Sequence, residues 1–197
     1  MIYETLQIIK EQLETFLEEE GFGKIVLLDN IALWQSGSDD ASRIDGKVVL
    51  TLLKLEEEST LRNSPSVQVV DGRTEYRNPD INLNLYLLIS ANCDTYDKSL
   101  SAISKTIQLF QGRNNFTKAN TVYKQPNMAF EDIGSFRFVL NLYTPTFEEL
   151  NNIWGTLGGR QLPSVIYRVQ LISISSDKMS GAGSVITRVK GNLNDFE

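Results

Sequence analysis

The stretch Thr146 to Tyr167, TFEELNNIWGTLGGRQLPSVIY, contains a helix start, a helix stop and a strand start within twenty-two residues. Thr146 followed three residues later by Glu149 is a capping box, in which the hydroxyl accepts from a free backbone N–H at the helix start and the carboxylate reaches back to the cap. Phe147, Leu150, Ile153, Trp154 and Leu157 then recur at three- and four-residue spacing, which predicts one apolar helix face that includes Phe147 and Trp154 as core anchors. Gly158 and Gly159 can take the positive φ that ends a helix, and Pro163 prevents its resumption. From Ser164 the period changes to two, with Val165, Tyr167, Val169, Leu171 and Ser173 on one side of a strand.

Working outward, Gly134 to Tyr143 alternates through Phe136, Phe138, Leu140 and Leu142, again a half-buried strand, ended by Pro145. Pro79 to Ala91, PDINLNLYLLISA, carries Ile81, Leu83, Leu85, Leu87 and Ile89 on one face, while Tyr86 and Leu88 make its second half apolar on both faces. That pattern predicts a central strand. Asp94 or Thr95 caps the helix that follows, whose stripe is Tyr96, Leu100, Ile103, Ile107 and Phe110, with Gly112 closing it. Two heptads are too few for a coiled coil, so the stripe is read as packing on a sheet.

Ile2, Leu6, Ile9, Leu13, Phe16 and Leu17 form the apolar face of an acidic N-terminal helix, ended by Gly21 and Gly23. Lys24 to Trp34 reads as a strand, Gln35 to Gly46 as a polar loop, and Lys47 to Glu58 as a buried strand emerging into solvent. Ser66 to Val70 and Thr74 to Arg77 flank Asp71-Gly72, a hairpin signal. Asn114 to Met128 is irregular, anchored by Phe116 and Tyr123. The order of elements predicts an α+β domain with a mainly antiparallel sheet and helices packed on it. One domain is expected over residues 1–176, followed by a C-terminal extension over 177–197 in which Gly181 to Ser184 links to a final edge strand or arm, Val185, Ile186, Thr187, Arg188 and Val189.

Composition removes several chemistries. The 197 residues include no histidine and only Cys93, which excludes histidine acid–base catalysis, His-dependent triads, an internal disulfide and a multi-cysteine metal cage. No cofactor or metal site is expected. Glu56, Glu57 and Glu58 alternate sides of a strand, so they read as a solvated strand end rather than a cation site. A carboxylate-dependent hydrolase built on Asp39, Asp40 and one of Glu56 to Glu58 is the minor alternative. Gly181-Ala182-Gly183-Ser184 lacks the Gly-Lys-Ser/Thr ending of a phosphate loop.

A net charge of −6 argues against nucleic acid as a partner. The charge is uneven, with thirteen acids and five bases in residues 1–60 against twelve acids and fourteen bases in the remainder. Such asymmetry can set polarity in a stacked assembly. The apolar run Leu83 to Ile89 is far shorter than the ~18 residues needed to cross a bilayer, so no membrane partner is expected. The N-terminus lacks the pattern of an export signal, and synthesis in the cytoplasm is the expectation.

Several of these short patterns occur together, and in this order, in one family. The strand Pro79 to Ala91, the spaced Tyr96 and Leu100, the helix end Leu109-Phe110-Gln111, Leu150-Asn151-Asn152-Ile153-Trp154, Leu157-Gly158-Gly159 and Leu162-Pro163-Ser164 before a Tyr-containing strand resemble the tail-terminator, or cap, proteins of extracellular contractile injection systems of the antifeeding-prophage and Photorhabdus virulence cassette type. The resemblance runs from about residue 2 to 176, and none of its pieces has a catalytic meaning. It implies a non-enzymatic structural protein, working as a hexameric ring that ends the inner tube and sheath of a phage tail-like particle. Its implied partners are further copies of itself and the tube and sheath proteins, at the distal end of a particle that is released or membrane-anchored. An assembly chaperone or adaptor for a tube, sheath or tape-measure protein is the alternative within the same class.

Overall fold

The computed structural model describes residues 2–35, 39–58, 67–70, 73–77, 81–121, 136–174 and 179–183. In chain order the elements are α1 (Ile2–Glu19), β1 (Val26–Leu28), a 3₁₀ turn (Ile31–Gln35), α2 (Asp39–Ile44), β2 (Lys47–Glu57), β3 (Val67–Val70), β4 (Arg73–Arg77), β5 (Ile81–Asn92), α3 (Tyr96–Gly112), β6 (Asn115–Thr117), β7 (Arg137–Tyr143), α4 (Phe147–Thr156), β8 (Ser164–Ile174) and β9 (Met179–Gly183). They divide into two compact units. One comprises Met1–Glu57 and Leu83–Ile172, the other Glu58–Asn82 and Ser173–Glu197. The sequence suggests one domain to residue 176, because the second unit is assembled from two short segments far apart in the chain, and neither has a core pattern of its own.

The larger unit is built on a six-stranded sheet in the order β1-β2-β5-β8-β7-β6. β1 lies parallel to β2, whereas β2–β5, β7–β8 and β6–β7 are antiparallel. The Ala91 N–H donates to the Pro163 carbonyl at 2.9 Å, which sets the end of β5 against the start of β8. The fold is therefore α+β with a mainly antiparallel sheet.

Both faces of this sheet are buried. On one face Val48, Leu50, Leu85, Leu87, Ile89, Val165, Tyr167 and Val169 pack with Leu6, Ile9, Leu13 and Leu17 of α1 and Ala102, Ile103 and Phe110 of α3. On the other, Val49, Leu88 and Ile166 pack with Trp154 of α4, Ile44 of α2 and Ile31 of the 3₁₀ turn. The period-2 alternation of a strand allows this division, since neighbours such as Leu87 and Leu88 point to opposite faces. Each fully buried aliphatic side chain contributes about 1.5–3 kcal/mol relative to exposure.

The helix ends follow their local chemistry. Thr95 accepts from the Lys98 N–H at 3.3 Å, and Thr146 and Glu149 form the reciprocal capping box at 3.2 and 2.8 Å. At the far end of α4, Gly158 and Gly159 have φ of +111° and +85°, and the Gly159 N–H reaches back to the Trp154 carbonyl at 2.7 Å. That bond satisfies a carbonyl the helix leaves unpaired. Lys105 pairs with Glu20 at 2.7 Å and Arg113 donates to Gln12 at 2.8 Å, so α1 and α3 run antiparallel across the sheet.

Several expectations need correction. The strand expected over Lys24 to Trp34 is only three residues long, and Ile31 belongs to the 3₁₀ turn instead. The Thr51 hydroxyl causes the change, because it accepts from the Ile31 N–H at 3.0 Å and donates to the Asp29 carbonyl at 2.7 Å, lifting the chain out of the ladder. Within the expected loop Gln35 to Gly46, residues Asp39–Ile44 form α2, anchored by Ile44, which is wholly buried. On α3, Ser99, Ala102, Ile103, Thr106 and Phe110 face inward, while Tyr96, Leu100 and Ile107 of the expected stripe are exposed. Small residues let that helix approach the sheet closely. Phe147, expected in the core with Trp154, is 92% exposed, because it is the first residue of α4 and precedes the turns that lie over the sheet. Leu142 is exposed near the end of β7.

The smaller unit contains the expected hairpin β3–β4, with Val67 opposite Tyr76 and Val70 opposite Arg73. Its third strand, β9, places Gly183 opposite Thr74 and Gly181 opposite Tyr76. The Gly181 to Gly183 segment is thus a strand and not a link. A ladder needs only N–H and C=O groups, and pairing satisfies those of the middle strand β4 despite the low strand propensity of glycine. Val185 to Val189 and the Asp71-Gly72 turn lie outside the described residues.

Leu87→Ala and Leu88→Ala are each expected to cost about 2–5 kcal/mol in urea unfolding, because each empties a different core cluster. A near-neutral result for either would show that its face is not packed. Burial pushes the Tyr167 hydroxyl up to about 12. A raised folded pKa means that its contribution is intact below the unfolded value near 10 and is lost as pH rises towards 12. The urea midpoint should fall over that window, and Tyr167→Phe should flatten the fall.

Candidate functional site

A β-bulge shapes a chemically varied cluster among the described residues of the larger unit. Along β2, Val48, Leu50 and Leu52 face α1 and α3, and Val49 and Thr51 face the other way. The register with β5 then shifts between Leu52 and Lys54, so that Leu52 pairs with Leu87 and Lys54 with Tyr86. Leu53 and Lys54 therefore share the α4 side of the sheet, and the alternation is reversed for the rest of the strand. Glu56 is carried to Tyr86 by this reversal.

The Tyr86 hydroxyl donates to Glu56 at 2.8 Å, and Lys54 Nζ pairs with the other Glu56 oxygen at 3.2 Å. Lys54 Nζ lies 5.5 Å and the Arg168 guanidinium carbon 6.0 Å from the Tyr86 ring centre, both within cation–π reach. Tyr143 meets Tyr86 edge to face, with ring centres 5.3 Å apart, and donates its hydroxyl to Glu149 at 3.1 Å. Glu149 is held in turn by the capping box, so the start of α4 is tied to the two tyrosines. Beside them an open cleft of about 360 Å³ is floored by Leu53, Ile153 and Ile166 and rimmed by Lys54, Glu149 and Asn152.

The hydrogen bonds from Tyr86 and Lys54 hold the Glu56 carboxyl below the ordinary carboxylate range. The Thr146 N–H, with Tyr143, does the same for Glu149. Burial and the Glu56 carboxylate raise the Tyr86 hydroxyl, and the bond to Glu149, with burial, raises that of Tyr143. Every shift moves the group away from neutrality: the carboxylates stay charged and the phenols stay protonated. Such a set suits a fixed recognition surface, since a general acid or base needs a pKa near the working pH.

Only some of the residues weighed for hydrolysis fall among the described side chains. Glu56 is engaged by Tyr86 and Lys54, and the side chains of Asp39 and Asp40 lie outside the described residues. Among the described residues no three Asp, Glu, Cys or His side chains converge as a metal site, and no helix is long and apolar enough to cross a membrane. Cys93 is half buried, its thiol pushed up by burial, and its N–H donates to Ser99. The arm Val185 to Val189 lies outside the described residues. What the sequence leaves unmarked is the Tyr86–Tyr143 cluster, because the bulge that assembles it has no composition signal. The exposed apolar side chains Tyr96, Leu100, Leu142 and Phe147 are further surface features that a core reading hides.

Tyr86→Phe is expected to raise the Glu56 carboxyl pKa towards its ordinary value, read by carbon NMR titration of the side-chain carboxyl. An unchanged titration would show that this hydrogen bond does not hold the carboxylate.

The profile of the Pvc16 N-terminal domain family matches residues 4–188. The chain belongs to that family. Two solved structures share its fold along its whole length. The first is the sheath/tube terminator of an extracellular contractile injection system, PVC, in the extended state, at a TM-score of 0.63 and 16% identity. The second is the anti-feeding prophage cap, a tube-terminating cap, at 0.58 and 17% identity. The chain spans 64% and 62% of the length of these two proteins. No curated protein sequence matches it significantly.

Proposed function

We propose that this member of the Pvc16 N-terminal domain family is a structural cap that terminates the tube and sheath of a phage tail-like contractile injection system. The observation that carries the reading is the family match over residues 4–188, joined to a fold shared from end to end with two tube-terminating proteins. Its partners are the inner-tube and sheath proteins and further copies of itself, in a cyclic ring with six-fold symmetry as the expected order. The role is non-enzymatic and needs no cofactor. The chain is synthesised in the cytoplasm and ends up at the distal end of the particle.

The physical demands of that role match the surface. A cap needs one face that fits the last ring beneath it and no face that repeats the stack. Tyr96, Leu100 and Ile107 on α3 and Phe147 on α4 give exposed apolar side chains of the kind that anchor such contacts. The Lys54, Glu56, Tyr86 and Glu149 cluster gives a fixed polar pattern that sets orientation. The family model, the shared fold and this surface give no support to the hydrolase reading.

Deleting the gene in a particle-producing strain is expected to give tubes and sheaths of uncontrolled length, seen by negative-stain microscopy. Immunogold against the protein should mark one end of wild-type particles. If the protein is required for assembly yet missing from purified particles, the chaperone or adaptor reading replaces the cap. If length and assembly are both unchanged, the proposal falls.

A further inference from the structure

A slot of about 450 Å³ opens beside the end of β1. Six leucines line it: Leu28 of β1, Leu50, Leu52 and Leu53 of β2, Leu6 of α1, and Leu157 just after α4. Both faces of the sheet contribute, since Leu6 belongs to the core under α1 and Leu157 to the core under α4. The polar groups of the lining are already engaged. The Thr51 hydroxyl accepts from the Ile31 N–H and donates to the Asp29 carbonyl, the Asn30 side chain accepts from the Ala32 N–H at 3.0 Å, and the Thr156 hydroxyl donates to the Ile153 carbonyl at 2.7 Å. An open hollow with leucine walls and spent polar groups suits an apolar side chain.

The chain carries a side chain of that kind. Phe147 is 92% exposed and has no role in starting its own helix. The capping box uses Thr146 and Glu149, and the positions that staple a helix start are the one before the cap and the fourth within the helix, here Pro145 and Leu150. Phe147 opens α4 and Leu157 follows its last turn, so ten helical residues, about 15 Å of helix, separate the phenyl group from the slot of its own subunit. No side chain reaches that far. The charges around the two features are complementary. Glu148, beside Phe147, is exposed; at the slot, Arg43 neutralises Asp29 at 2.8 Å, and exposed Arg160 adds a cation three residues after Leu157. An acidic knob therefore faces a hole with a basic rim.

We propose that Phe147 of one subunit inserts into the leucine slot of a second copy of this chain. The inference rests on the ring reading above. Knob and hole lie at opposite ends of α4, so the contact is head to tail: each subunit gives one phenyl group and receives one, and a closed ring leaves neither unused.

The test replaces Phe147 with the photo-cross-linker p-benzoylphenylalanine in unlabelled chain, mixed with nitrogen-15-labelled chain that keeps Phe147. The mixture is assembled on particle ends and irradiated, and cross-linked peptides are read by mass spectrometry. The expected product joins residue 147 to a labelled peptide containing Leu28 or Leu52. A link to those peptides in unlabelled form only shows contact within one chain and overturns the inference. Rings visible by negative stain with residue 147 linked elsewhere, including to the tube or sheath protein, also overturn it while leaving the ring reading intact. No ring from the full-length chain overturns both. A second measurement uses Phe147→Ser and Thr156→Trp, the latter placing an indole in the slot from an exposed lining position. Each should keep the circular dichroism of the unaltered chain and lose ring formation by about tenfold or more; unimpaired rings in either would sink the inference.

Discussion

The structure depends on a sheet that must be covered on both faces. β5 states the requirement most plainly, with Leu85, Leu87, Ile89 and Ala91 in one core cluster and Leu88 in the other. A strand buried on both sides cannot stand beside solvent, so α1 and α3 are needed on one face and α4, α2 and the 3₁₀ turn on the other. The two coverings are unequal. α1 and α3 are eighteen and seventeen residues long, whereas α4 has ten and α2 six. The face under the shorter helices changes character beside the start of α4, where Lys54, Glu56, Tyr86 and Arg168 replace aliphatic side chains.

That change places the polar cluster and also limits what it can do. Its carboxylates are matched one to one with tyrosine hydroxyls, and Lys54 and Arg168 approach the Tyr86 ring. Mutual pairing stabilises each charge where it stands, which makes the group rigid and leaves no proton poised to move near neutral pH. Rigid, oriented polar groups are useful for setting the register of a neighbouring surface. Apolar side chains such as Phe147 complete such a contact, because water leaves them readily when a partner arrives.

Much of this was legible in the sequence where local chemistry decides the outcome. Thr146 with Glu149, Thr95, and Gly158 with Gly159 act within a few residues of themselves, and the apolar runs of β5 and β8 admit no other period. The misreadings lie where a distant group intervenes. Thr51 shortens β1 from twenty residues away, and the pairing of β9 to β4 overrides the poor strand propensity of its glycines. The bulge at Leu53 reverses the alternation of β2 with no signal in residue type, which is why the Lys54–Glu56–Tyr86 cluster could not be assembled from spacing alone. Phe147 and the outer stripe of α3 show the converse error, since apolar periodicity marks a face that wants to leave water without saying what covers it.

The two ends of the sheet are not equivalent, and this asymmetry bears on a terminating role. At one end β6 is only three residues long, paired with β7 and flanked by Arg113, Lys118 and Arg137, the last opposite Thr117. Short edges rimmed with cations resist sheet extension. At the other end β2 outruns β1 and carries its acidic residues last. A subunit with two open edges could pair edge to edge without limit, and one with two blunt edges could not pair through its sheet at all. A sheet with one short, cation-rimmed side and one longer, acidic side presents two chemically different borders, and that polarity is the kind of asymmetry a directional contact uses.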